Sequence, residues 1–410
     1  MSQQFQLLVG IDWGSERHRV CVIDPSGAIV DQRWAEHSGD SLAELTRWLR
    51  DKSPDGADKI AVAIELPRGP VVETLMEQGF AVFSINPKQL DRFRDRYSPA
   101  GAKDDRRDAF VLADSLRTDM HCFHAVRLDE PAVFGLRELS RLDDDLRLEQ
   151  NRLHNQLREQ WHRFFPQLLK LSSAANEPWV WALFQAAPLP AKAAKLSAKR
   201  IEGILGSNRI RRIDAAKVHA IVSEKPLIVA PGAAEAASEH ALLLLPRLRL
   251  LHQQRTDVAK KLEALLEELS QPDPGGEASE HRDAKLLLSL PGVGRQIAAT
   301  MLSEASQAIA ERDYHGLRCY TGAAPITRQS GKKKVVLMRK GCNERLRNAI
   351  YHWSRVSVVC DAKSKADYAA KRASGQTHGR ALRGIGDRWL AVLISMLRHR
   401  TLYDRNRRAA

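Results

Sequence analysis

The chain has 410 residues, 64 Lys and Arg against 50 Asp and Glu, and a formal net charge of +14. Its pI is near 9.7. That length suggests two or three domains and excludes a small disulfide-stapled scaffold. The positive surplus points to a polyanionic partner, because each neutralised phosphate releases counterions. Five cysteines are scattered with no C-x-x-C pair, so a zinc or dithiol motif is excluded and a reducing cytosol fits. No uninterrupted apolar run approaches a membrane span, and no charged-then-apolar leader opens the chain, so the expectation is a soluble cytoplasmic protein with no membrane partner.

Residues 1–125 alternate strand and helix patterns. Leu7–Asp12 and Arg19–Ile23 are β-rich runs joined by Gly14-Ser15-Glu16-Arg17, which predicts a wide hairpin. Pro25-Ser26-Gly27 is a turn, and Ala28–Trp34 a third strand. Leu42, Leu45, Trp48 and Leu49 give Ser41–Arg50 one apolar helical face. Lys59–Leu66 is a fourth strand, Val71–Gln78 a helix ending at Gly79, and Ala81–Ile85 a fifth strand. A three-strand meander followed by strands alternating with helices predicts an α/β RNase H-like (RuvC-like) domain with a mixed sheet.

Residues 126–280 read as helical. Apolar residues recur at three- or four-residue steps, or seven where one is skipped, from Leu136 through Trp161 to Leu168, and again from Leu248 to Leu269. Two readings stay open: an antiparallel coiled coil or dimer seam, or two long bundle helices. Residues 174–235 are richer in Ala and Pro and predict a small helical insert. Ser270 to Gly276 is the clearest linker, and a mainly helical C-terminal domain spans 281–410. From Lys371 to Ala410, ten Lys or Arg face two Asp, a net of +8, so this end is either a nucleic-acid surface or a basic tail.

Four acids stand out. Asp12 ends one apolar strand and Glu65 sits at the end of another, where a carboxylate is costly unless it is paired or binds a cation. Asp105 and Asp108 are three residues apart in a helix-compatible stretch, so both can face one way. Asp104 rivals Asp105, being spaced i, i+4 from Asp108. Such a group suits Mg²⁺, a hard cation that takes oxygen ligands and can hold a phosphodiester. A solvated helix pairing Asp105 and Asp108 with Arg106, Arg107 or Lys103 is the plainer reading.

Further on, Leu288 to Leu290, Pro291-Gly292-Val293-Gly294 and an apolar stretch to Leu302 give a helix-hairpin-helix signal. Gly292 and Gly294 would let the backbone approach a phosphate. A plain packing hairpin is the alternative. Ser330-Gly331 follows Arg328 and precedes Lys332, Lys333, Lys334, Arg339 and Lys340. The cations would stabilise charge developing on phosphate, and Ser330 is either a nucleophile or a hydroxyl touching phosphate.

In order and combination, these motifs resemble the DEDD transposases of the insertion sequence 110 type and the related Piv-type DNA invertases. The resemblance rests on Gly10-Ile11-Asp12, Ile64-Glu65, Lys103-Asp104-Asp105 with Asp108-Ala109, Pro291-Gly292-Val293-Gly294, Gly322 with Pro325, Ser330-Gly331 and Arg339-Lys340-Gly341. Relatives often carry Lys-Thr-Asp or Lys-Asn-Asp where this chain has Lys103-Asp104-Asp105. The resemblance implies a DNA recombinase that moves its own element. Asp12, Glu65, Asp105 and Asp108 would form the metal-binding tetrad and Ser330 the nucleophile of a composite site. It further implies donor and target DNA and a noncoding bridge RNA as partners, and dimers that pair into a tetramer. The competing expectation is a RuvC-like nuclease of branched DNA that uses the acids alone.

Overall fold

Leu7–Asp12 and Ile60–Ile64 are apolar almost throughout and almost wholly buried. Such runs belong to strands covered on both faces, where alternation is lost. The computed structural model describes residues 5–97, 104–272, 282–331 and 333–406. It divides into two compact units, Met1–Asp129 and Glu130–Ala410.

In the first unit, β1 (Leu7–Asp12), β2 (Arg17–Ile23) and β3 (Ile29–Glu36) form an antiparallel meander. Then come α1 (Gly39–Arg50), β4 (Ile60–Ile64), α2 (Pro70–Glu77), β5 (Ala81–Ser84), α3 (Pro87–Tyr97), α4 (Asp105–Asp119) and the short β6 (His124–Ala125). The sheet order is β3-β2-β1-β4-β5-β6, with β4 parallel to both β1 and β5 and β6 antiparallel on β5. This mixed sheet agrees with the RNase H-like expectation. The third strand begins and ends later than its apolar run suggested, and α3 and β6 were not anticipated from the pattern.

The two faces of β1 and β4 serve different helices. Val9, Ile11, Val62 and Ile64 pack with Leu45 and Leu49 of α1 and Val72 and Leu75 of α2. Leu8, Ala61 and Ala63 pack with Ala109, Leu112 and Ala113 of α4. Gly10 allows the closest approach: a Cβ there would lie 1.9 Å from the Ala109 carbonyl oxygen and 2.6 Å from the Ala113 nitrogen. The α4 backbone therefore rests directly on β1.

Among the described residues, the second unit is helical but for one hairpin. α5 (Pro131–Phe164) leads through α6 (Gln167–Leu171), α7 (Pro178–Ala186), α8 (Pro190–Ala193), α9 (Ala198–Ser207) and α10 (Ala215–Val222) to α11 (Ala233–Glu268). α5 and α11 run antiparallel. Arg255 reaches Asp143 at 3.0 Å, and Arg247 reaches Glu149 at 3.4 Å. The periodic leucines thus form an intrachain pair of long helices. One end of the pair closes on the small insert through Leu157, Trp161, Phe184 and Leu248. At the other end, Leu136, Leu262 and Leu266 share a core with Leu287, Met301, Trp353 and Trp389. The linker expected from Ser270 continues into residues 273–281, which lie outside the described residues.

α12 (Asp283–Leu288), α13 (Arg295–Glu304), α14 (Ser306–Ala310) and α15 (Tyr314–Tyr320) come next. β7 (Ile326–Ser330) and β8 (Lys333–Leu337) form an antiparallel hairpin. α16 (Glu344–Cys360), α17 (Ala362–Ala373) and α18 (His378–His399) complete the unit. α18 corrects the basic-tail reading: Leu382, Ile385, Trp389 and Leu393 recur at helical spacing and are buried, so the arginines ride on a core helix. No helix among the described residues is long and apolar enough to cross a membrane.

Candidate active site

Strand register brings the first two acids to one edge. Ile11 pairs with Ile64 across the parallel β1–β4 ladder. Asp12 and Glu65 each follow one of these residues. Period-two alternation puts Asp12 on the face of Leu8 and Gly10, the face that α4 covers.

α4 begins there. Asp104 is its N-cap, accepting from the Arg106 backbone N–H at 3.2 Å through a side-chain oxygen. That contact satisfies one of the helix's orphan donors and gives Asp104 structural work. Asp105 is exposed on the first turn, whereas Asp108 is buried, at 1% exposure.

A buried carboxylate needs a cation, and here it has one. Arg94 of α3 donates to both Asp108 oxygens, Nε to Oδ1 at 2.8 Å and Nη2 to Oδ2 at 3.1 Å. The same guanidinium donates to Asp91 at 2.6 Å and stands 4.0 Å from Glu65. Burial works against the Arg94 charge, but the hydrogen bonds and charges of Asp108 and Asp91 outweigh it and raise its pKa. Arg94 thus ties Glu65, from the sheet edge, to Asp108, from α4. No motif contained it. The signal available was Asn86-Pro87, a helix start, with Leu90 and Phe93 marking an apolar face beside Arg94.

The loop after Asp12 is anchored. The Gly14 N–H donates to Nδ1 of the buried His18 at 3.3 Å, and His18 Nε2 lies 3.0 Å from His37 Nδ1. Burial, then the neighbouring His37, lowers the His18 pKa. A neutral ring accepting at Nδ1 and donating at Nε2 satisfies both contacts.

All-carboxylate donors suit a hard divalent cation. With Arg94 seated between them, no three Asp, Glu, His or Cys side chains among the described residues converge to hold one. The positive charge that Glu65 and Asp108 face is the guanidinium.

The remaining predicted residues lie in the second unit. Ser330 ends β7, exposed, and pairs with Lys333 across the tip of the hairpin, where Gly331 takes a φ of +55°. Arg328, Lys333, Lys334 and Lys340 are exposed, and Arg339 Nε donates to the Ala324 carbonyl at 3.2 Å. Lys332 lies outside the described residues. Sequence reading treated this stretch as a basic loop and missed the hairpin. Gly292 and Gly294 connect α12 to α13. Gly292 has a φ of +84°, and a Cβ on it would come within 3.1 Å of the Ser357 nitrogen. Trp353 Nε1 also donates to the Pro291 carbonyl at 3.0 Å. This turn is therefore packed on α16 at Pro291 and Gly292. Gly294 has open space around it.

A family model described as Transposase, of the DEDD type named for IS110, matches residues 9–166. That span holds all four acids. A second model, described as Transposase IS116/IS110/IS902 family, matches residues 284–369 and holds the serine hairpin. The mini-circle putative transposase for IS117 of Streptomyces coelicolor is 30% identical over 406 residues, covering 97% of this chain and 95% of the relative. The chain belongs to the IS110 family of transposases. A putative transposase, y4uE, of Sinorhizobium fredii is 49% identical over 218 residues, covering 52% of this chain and 60% of that protein. An uncharacterized 43.6 kDa protein of insertion element IS110, also from Streptomyces coelicolor, is 26% identical over 97% of this chain and 95% of its own length. Membership in this DEDD family implies use of a divalent metal.

Proposed function

We propose that this IS110-family transposase cuts and exchanges DNA strands through two chemical parts. Asp12, Glu65, Asp105 and Asp108 hold Mg²⁺, and Ser330 is the nucleophile. The observation that carries the first part is the convergence of Glu65 and the buried Asp108 on one guanidinium at the sheet edge, beside Asp12. Two carboxylates from separate elements that share one positive charge mark a place where a bound cation could take over the guanidinium's role. Bound metal would supply Lewis acidity to the phosphodiester. The exposed Ser330 hydroxyl, beside Lys333 and Lys334, supports the second part.

In the serine step, Ser330 Oγ bonds to phosphorus as one phosphodiester P–O bond breaks. The serine gives up its proton and the leaving oxygen takes one up. Ester bonds are conserved, so the phosphoserine link can be reversed onto a new strand end. Arg328, Lys333, Lys334, Arg339 and Lys340, with Lys332, would offset charge on the phosphate, and the Gly292–Gly294 turn would add a backbone contact. Donor and target DNA are the substrates. A noncoding bridge RNA guides pairing, and homodimers associate into a tetramer.

The test is a covalent adduct. Purified protein with its element's RNA, Mg²⁺ and nicked DNA should give a DNA-linked peptide at Ser330, lost in Ser330→Ala and Asp12→Asn. A second reading, a RuvC-like nuclease of branched DNA, draws on the acids lying together in one unit. Normal cleavage by Ser330→Ala with no adduct would establish that reading instead.

A further inference from the structure

Beside the serine hairpin, the second unit forms a half-open cavity of about 320 Å³ whose lining is of two kinds. One is apolar: Val336, Leu337 and Met338 at the end of β8 and just beyond it. The other carries Arg380 and Arg383 of α18. Arg318, which also lines the space, is already neutralised by a two-pronged pair with Asp387, at 2.5 and 2.8 Å.

Arg380 and Arg383 are different. Neither forms an ion pair with a carboxylate among the described residues, where the α18 carboxylate Asp387 is taken by Arg318. The contact Arg383 makes is to the adjoining Met338 thioether, at 3.2 Å, a weak acceptor for a guanidinium. Burial, then the charge of Arg380, pushes the Arg383 pKa down. Arg380 is exposed and Arg383 half-buried, so this neighbouring pair of guanidiniums is open to an anion, and planar guanidiniums match phosphate oxygens in pairs.

The apolar lining limits what that anion can be. A bare phosphate would leave the apolar side in contact with water. A ring attached to the phosphate would cover Leu337 and Met338, and the cavity is large enough for one nucleotide but not for a duplex. We propose that this cavity receives a single unpaired nucleotide of a DNA or RNA strand, its phosphate on Arg380 and Arg383 and its base on Met338 and Leu337. The hairpin links this place to Ser330. From Leu337 to Lys333, the partner of Ser330, is four residue steps, roughly 13 Å along β8. A nucleotide held here would set the path of a strand relative to the serine. That last consequence rests on the proposed role of Ser330, but the binding does not.

The experiment is fluorescence anisotropy with the full chain in EDTA, using labelled short homopolymers of thymidylate and of uridylate. Arg383→Ala and Met338→Asp test the two walls, with melting curves to confirm folding. Lys199→Ala, on an exposed helix of the insert, matches the charge loss elsewhere. We expect both wall variants to weaken single-strand binding about tenfold or more, and Lys199→Ala less than about twofold. Thymidine or uridine monophosphate should displace the probe better than inorganic phosphate does. The homopolymer that loses more affinity in Arg383→Ala identifies the strand as DNA or RNA. The proposal is overturned if neither homopolymer binds the wild type, or if the wall variants match Lys199→Ala. It is overturned equally if phosphate competes as well as the mononucleotides, or if a duplex of equal length binds as tightly. No metal or cleavage enters the readout, so failure here is separable from failure of the strand-exchange reading, which Ser330→Ala tests.

Discussion

Replacing Arg94 with Met would keep most of its apolar stem and remove the cation from Asp108. The Asp108 side chain is 1% exposed and that of Arg94 25%. Removing one partner of a fully buried pair costs about 3–5 kcal/mol, because a desolvated charge is left behind. Arg94 reaches water on one side, so about 2–3 kcal/mol is the reasonable loss. For a unit near 130 residues, that lowers the melting temperature by roughly 6–12 °C. The loss should depend on metal. A cation bound at about a hundredfold above its Kd contributes about 2.7 kcal/mol, enough to replace the guanidinium. In the wild type the metal must displace Arg94 from Asp108, so it gains less. Melting curves in EDTA and in excess Mg²⁺ provide the assay, with hydrogen exchange across α4 as a local readout. Arg94→Met should melt well below the wild type in EDTA and recover most of the difference in Mg²⁺. If the two proteins melt within about 1 °C of each other in EDTA, or gain equally from Mg²⁺, the idea that Arg94 holds the place of a cation is wrong.

Asp104→Asn should keep both stability and strand exchange, since Asn caps a helix about as well as Asp; Asp105→Asn should abolish strand exchange, and a recombination assay with both variants decides which acid belongs to the site. Gly10→Ala would drive a methyl group into the Ala109 carbonyl 1.9 Å away, costing about 3 kcal/mol or more, visible as lost soluble yield and a lower melting temperature. His154, buried on α5 with its Nε2 unpartnered among the described residues, has its pKa lowered to about 4, first by burial and then by Arg255 and His252. The unfolded chain takes up this proton near pH 6.5 and the folded one near 4, so stability should fall as pH drops through that window, by at most roughly 3 kcal/mol. Urea melts at pH 7 and pH 5 should show that slope, and His154→Leu should flatten it; an unchanged slope would assign the pH dependence to other groups.

By itself the sequence determined the parts that depend on near neighbours in the chain. β1 and β4 were legible because unbroken apolar β-branched runs have few other uses, and their terminal acids followed. The α5 and α11 helices were legible from leucine spacing, although only packing showed that they pair within one chain. The family motifs were legible as linear strings. Tertiary structure decided what distant segments do to one another. Arg94 became part of the acid group because α3 packs beside α4, a contact that no local period encodes. The turn at Gly292 lies against the α16 backbone, a contact that its motif does not encode. Residues 371–410 look like a basic tail when charges are summed, yet from 378 to 399 burial follows the helical spacing of Leu382, Ile385, Trp389 and Leu393. Charge on one face of a helix says nothing about the apolar stripe on the other. Arg380 and Arg383 acquired meaning in the same way, when the hairpin's apolar end was found beside them at one cavity.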